Sequence, residues 1–122
     1  MKHLIPLAIV IASLGCSKDK DKESPVVTIS SPTLGQSFEG GDVIRVTGTV
    51  TDDQTVSEVN LRVTHAVTGA IILEMTDEPG TPNFNFNYLV GSAITGVHYR
   101  IQVIAKDKVR HDDRKIVEFI CH

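Results

Sequence analysis

The sequence predicts an all-β fold, one antiparallel sandwich of two packed sheets with about seven strands, on three observations. From residue 17 onward it holds 14 Val, 9 Ile and 11 Thr against 4 Leu and 4 Ala. β-Branched side chains are stiff at χ1 and suit a pleated surface better than a helix. Apolar and polar residues alternate along most segments, the period of a half-buried strand. Turn-forming Pro, Gly, Asn and Asp punctuate those segments at short intervals, and no stretch carries a helical period.

Each strand follows from its own pattern. Residues 26–30 form the first, closed by Ser31-Pro32 and a turn at Gly35. Residues 43–51 form the second, with Ile44, Val46, Gly48 and Val50 on one face and Arg45, Thr47 and Thr49 on the other. Residues 56–64 form the third, with Val59, Leu61 and Val63 inward and Asn60 and Arg62 outward. A turn at Thr68-Gly69 leads into a shorter, less regular strand at 70–76. After a rigid loop at 78–82, Phe84, Phe86 and Tyr88 point inward between the outward amides Asn83, Asn85 and Asn87. Residues 97–106 bring Val97, Tyr99, Ile101, Val103 and Ala105 to the core and leave His98 on the solvated face. The last strand, 115–121, is read with Val117 and Phe119 inward.

Ahead of the domain stands an address. Lys2 is followed by the eleven-residue apolar run LIPLAIVIASL at 4–14. A span of about 30 Å of hydrocarbon needs roughly 20 residues, so this run fits the core of a secretory signal peptide. It ends in Ser13-Leu14-Gly15-Cys16, which resembles the lipobox of bacterial lipoproteins: Gly15 and Cys16 match its last two positions, and Ser13 stands where an aliphatic residue is usual. The resemblance implies removal of residues 1–15 and acylation of Cys16, with a membrane anchor made of lipid. Residues 16–24 then read as the lipidated cysteine and a charged, disordered tether, and 25–122 as the sandwich. The run after Cys16 resembles in part an acidic surface-export signal, with Lys18, Lys20 and Lys22 alternating with Asp19, Asp21 and Glu23. The expected location is the outer membrane or cell surface of a Gram-negative bacterium, with the periplasmic face as the alternative.

Within the domain, Gly96, Tyr99, Val103, Ala105 and Asp107 lie at the spacing of the penultimate strand of bacterial Ig-like and cadherin-like domains, and the segment resembles it. The stretch GDVIRVTGTVTDDQTVSEVNLRV at 41–63 is similar to their second and third strands, and PVVTISSPTLGQSF to the first strand and proline turn. The resemblance implies a single Ig-like β-sandwich in which the Tyr99 hydroxyl bonds back to the backbone as a tyrosine corner. Ile101 replaces the cysteine of antibody domains, no tryptophan is present, and Lys108-Val109-Arg110-His111 replaces the usual Gly-Asn turn.

Chemistry is sparsely signposted. A net charge of −3 leaves no basic surplus to neutralise phosphates, so nucleic acid is not an expected partner. Two distant cysteines make neither a disulfide scaffold nor a four-cysteine zinc site, and Cys121 reads as a small buried hydrophobe, with an intermolecular disulfide as the alternative. No nucleophile elbow, phosphate loop or zinc-protease motif occurs, and the expectation is a non-catalytic protein without a cofactor. Asp52 and Asp53 on one loop, with Asp107, Asp112 and Asp113 on another, are the candidate oxygen ligands for Ca²⁺, against the simpler reading of turn chemistry. His111 beside Asp112 and Asp113 lacks spaced partners for a metal. The expected function is display: a membrane-anchored Ig-like domain for protein interaction, adhesion or assembly, with the loops 52–55 and 107–114 as contact elements. The alternative is a carbohydrate-binding accessory lipoprotein of a glycan-uptake system, which would use the outward row Asn83, Asn85 and Asn87.

Overall fold

A computed structural model describes residues 23–122. The signal peptide, Cys16 and nearly all of the tether expected from the sequence lie outside the described residues. The described residues form six strands: β1 (Val26–Ser31), β2 (Val43–His65), β3 (Ile71–Asp77), β4 (Thr81–Ser92), β5 (His98–Asp107) and β6 (Asp112–Ile120). The count is one below the expectation because the second and third expected strands are a single element of 23 residues. Residues 52–55 keep extended backbone through the corner, where Asp52 Oδ2 accepts the N–H groups of Gln54 and Thr55 at 3.0 and 2.9 Å. The aspartate bends the chain without ending the strand.

That corner divides the ladder into two sheets. Residues 43–51 of β2 pair with β1 on one side and β4 on the other. Residues 56–65 pair instead with β3 and β5, and β5 pairs with β6. Val56 lies at the changeover, opposite both Thr81 and Asp107. All pairings between strands are antiparallel. The loop expected at 78–82 is shorter than read, since β4 already starts at Thr81. Pro82 is tolerated there because β4 pairs only with β2 and its other edge needs no donor.

The inner faces follow the alternation in the sequence. Ile44, Val46 and Val50 face Val59, Leu61, Val63, Ile101, Val103 and Ala105 in one core, every one of them fully buried. Burying each such valine or leucine contributes about 1.5–3 kcal/mol. Phe86 and Tyr88 are buried and Phe84 packs at the margin, as the Asn-Phe-Asn-Phe-Asn-Tyr pattern demands. Gly48 lies opposite Phe86 in the ladder, and a side chain there would overlap the Thr28 carbonyl and the Phe86 ring. The residue is glycine because a ring and a neighbouring strand close over it.

The sandwich is sealed along one side. Phe38 bridges to Cys121 in parallel fashion, and the Val27 N–H donates to Asp113 Oδ2 at 2.9 Å, tying β1 to β6. On the opposite side the edges of β3 and β4 are joined by the Tyr88 hydroxyl, which donates to Asp77 Oδ2 at 2.5 Å. Burial and that carboxylate hold the Tyr88 phenol well above its ordinary range.

Candidate functional site

The pairing sorts the loops into two groups at opposite ends. Val26, the corner 52–55, the segment 78–82 and the turn 108–111 share one end, because Val26 pairs with Thr51, Val56 with Thr81, and Val56 with Asp107. Loops 32–42, 66–70 and 93–97 share the other. Gly41 donates to the Ala93 carbonyl at 2.8 Å and Ala66 to that of His98 at 2.6 Å.

The first end is mainly polar, with Val26 and Val109 its exposed apolar residues, and it carries all five aspartates singled out in the sequence. Asp107 is buried, and its carboxylate is fully engaged from within. Oδ1 accepts the N–H groups of Val109 and His111 at 3.0 and 2.8 Å, while Oδ2 lies 3.0 Å from His111 Nδ1. It therefore shapes a hairpin turn in which Arg110 adopts a φ of 75°. Asp113 binds the Val27 N–H and Lys115 Nζ. Burial opposes its ionisation, but those donors outweigh burial and hold the carboxyl below its ordinary value. Asp52 uses Oδ2 on the corner, and its Oδ1 is buried without a hydrogen-bond partner among the described residues. Asp53 and Asp112 are exposed. Among the described residues no three carboxylates, histidines or cysteines converge in a group able to hold a metal ion. The loops approach each other as expected, yet Asp52 and Asp107 serve their own turns and Asp113 ties β6 to β1.

The second end is apolar, a feature that no expectation from the sequence covered. Leu34, Val67 and Ile94 stand 84%, 76% and 63% exposed. Val43, Ile71, Ile72 and Ile120 add further exposed apolar surface at the same end. The loops that present them are pinned. Ile94 N–H donates to the Tyr99 hydroxyl at 3.0 Å, the back-bond expected of a tyrosine corner. Around it Ala93 donates to Asp42 at 2.7 Å, Val97 to Ile94 at 3.1 Å, and Gly96 to Cys121 at 2.9 Å. Val67 tops a tight turn in which Gly69 N–H donates to the His65 carbonyl at 2.7 Å. Ile94 also borders a cavity of about 380 Å³, lined with it by His65, Ile72, Val90, Val97 and Tyr99. Tyr99 in its wall belongs to a ring stack: Phe119 lies 4.5 Å from Phe38 and 5.2 Å from Tyr99 between centroids. Cys121 is a free, buried thiol beside it, in agreement with the reading as a small hydrophobe.

Such an end can take up an apolar side chain without rearranging, because its walls are fixed by backbone bonds. Leu34, Val67 and Ile94 escaped notice as single apolar residues in polar loops, separated by 33 and 27 positions. Only the topology collects them. The amide row Asn83, Asn85 and Asn87 is exposed as read, with Asn87 Oδ1 accepting from Arg45 at 3.1 Å.

The family described as Bacterial Ig domain matches residues 25–103. No curated protein matches the sequence. Among solved structures, OgpA of Akkermansia muciniphila is similar at 19% identity and a TM-score of 0.55, over 81% of this chain and 29% of that one. The fibronectin(III)-like modules of Clostridium thermocellum CbhA give 22% and 0.51, over 80% of this chain and 47% of that one. A superoxide reductase (neelaredoxin) of Ignicoccus hospitalis gives 12% and 0.53 over the whole of both chains. The chain spans under half the length of the first two, and likenesses at these identities speak for the fold.

Proposed function

The chain belongs to the bacterial Ig domain family, and on that premise we propose that it is a lipid-anchored, non-catalytic bacterial surface lipoprotein whose Ig-like domain binds a protein partner through its apolar end. One observation carries this reading: the chain joins the sandwich at the polar end, and the apolar tips lie at the opposite end. An anchor at Cys16 would hold the polar loops 52–55 and 108–111 toward the membrane and turn Leu34, Val67 and Ile94 outward. Residues 17–25 can reach at most about 30 Å when fully extended, and a nine-residue strand adds roughly another 30 Å. The apolar end would then stand clear of lipid headgroups and sweep a confined volume, which raises the effective concentration of a weak binder for partners on the same surface. The occupant is an apolar side chain of another protein, because the cavity is lined mainly by aliphatic groups and fixed in shape.

Cys16→Ser should release the protein from membranes, and retention would contradict the anchor. A photo-crosslinking residue placed at Val67 should couple the protein to a defined surface partner in intact cells, whereas the same probe at Asp53 should not. The reverse pattern would put the contact at the polar end and sink this reading.

A further inference from the structure

We propose that the outer face of the β3–β2–β5–β6 sheet is a separate binding site for an acidic polysaccharide, a hydroxyl-rich chain bearing carboxylate or sulfate groups. The register lays out this face in rows. Thr76, Asn60, Ile104 and Arg114 form the first, Glu74, Arg62, Gln102 and Ile116 the second, and Thr64, Arg100 and Glu118 the third. Each row thus contributes one arginine, each from a different strand. Asn60, Arg62, Thr64, Arg100, Gln102 and Arg114 line a shallow depression of about 440 Å³. These rows set three guanidinium groups against the two carboxylates of Glu74 and Glu118, a surplus of one positive charge in a protein of net charge −3.

Two of the arginines are positioned by carboxylates at the margins. Arg62 is 2.9 Å from Glu74, which Asn60 also contacts at 3.3 Å, and Arg100 is 3.5 Å from Glu118. The Arg62 hydrogen bond, with that of Asn60, holds the Glu74 carboxyl below its ordinary value. A guanidinium has five N–H donors, so one ion pair leaves most of the fork for a ligand. Arg114 has no carboxylate partner among the described residues and supplies the unmatched charge.

The shape of the offer selects the ligand class. β2 and β5 are paired on both sides, so the middle of this face, where the arginines converge, presents side-chain heads and no free backbone edge, the usual grip on an extended peptide. The aromatic rings are in or against the core, which removes the stacking platform that neutral sugars and nucleobases favour. What remains is charge for anionic groups, with amides and a hydroxyl for sugar hydroxyls.

The test is titration of the full chain at low salt with polygalacturonate and heparin as probes, against neutral dextran and poly-glutamate. Saturable binding to either acidic glycan, weakened by added salt, is expected, with none to dextran. Arg114→Gln and Arg100→Gln should each weaken it about tenfold, the size of one charge-assisted contact, at unchanged melting temperature. Val67→Asp should leave it intact, which separates this site from the apolar end. Absence of saturable binding, insensitivity to both arginine variants, or equal affinity for poly-glutamate would overturn the proposal.

Discussion

The two ends of the sandwich are held by different physics. At the polar end, carboxylates of Asp52, Asp107 and Asp113 satisfy backbone N–H groups, so order there rests on hydrogen bonds to ionised oxygens. At the apolar end, order rests on the Phe38, Phe119 and Tyr99 rings and on loop backbones bonded to one another. The first arrangement depends on the ionisation of its acids. The second arrangement also uses side chains, among them Asp42, whose Oδ2 accepts the Glu39 N–H at 2.9 Å, and Gln36, whose Oε1 accepts that of Thr33 at 2.9 Å, yet it leaves Leu34, Val67 and Ile94 facing outward.

The sharpest way to break that contrast is Phe119→Ala. Removing the ring that joins Phe38 to Tyr99 should cost about 3–5 kcal/mol in urea unfolding, with the loss concentrated at the apolar end. At the other end, Asp107→Ala strands two backbone donors and a histidine and should cost about 1–3 kcal/mol by the same measurement. Tyr99→Phe keeps the ring and deletes only the bond from Ile94, so about 0.5–1.5 kcal/mol is expected, with faster amide exchange at Ile94. The smallest effect concerns acid. The folded-state Asp113 carboxyl is held below its unfolded value, so its contribution is present above the unfolded value and fades as pH falls through the folded one. Asp113→Asn should flatten stability against pH in that acid window, whereas Tyr99→Phe should leave the slope as it is. Equal slopes for wild type and Asp113→Asn would show that the two ends do not differ in this way.

Much of the fold was legible because burial imposes a period of two. Alternation alone points Ile44, Val46, Val50, Val59, Leu61 and Val63 inward, and the resemblance to bacterial Ig-like domains implies the Tyr99 corner. The continuity of β2 was not legible, since Thr51-Asp52-Asp53-Gln54-Thr55 has the composition of a turn. An aspartate that bonds two residues onward can end a strand or bend it, and the choice is made by the partner strands on either side. Turn chemistry at Asp52 and Asp107 was legible from residue type, but the burial of Asp107 with its donors in place was not, because it follows from the packing of the strands around it. The apolar end and the arginine rows share one difficulty: their members come from separate strands or loops and meet only through pairing.

The short ladder between β1 and β2 has a mechanical consequence. The chain reaches Val26 at one end of the sandwich, and the apolar tips lie at the other, so a pull between them runs along the strands. Such a load shears the rungs from Val26–Thr51 to Ser31–Thr47 together, where a pull across the strands would peel them one at a time. The bond from Val27 to Asp113 shares the load with β6, on the far side of the seam. The six residues of β1 are thereby placed to resist as a set a pull along the line from Val26 to the apolar tips.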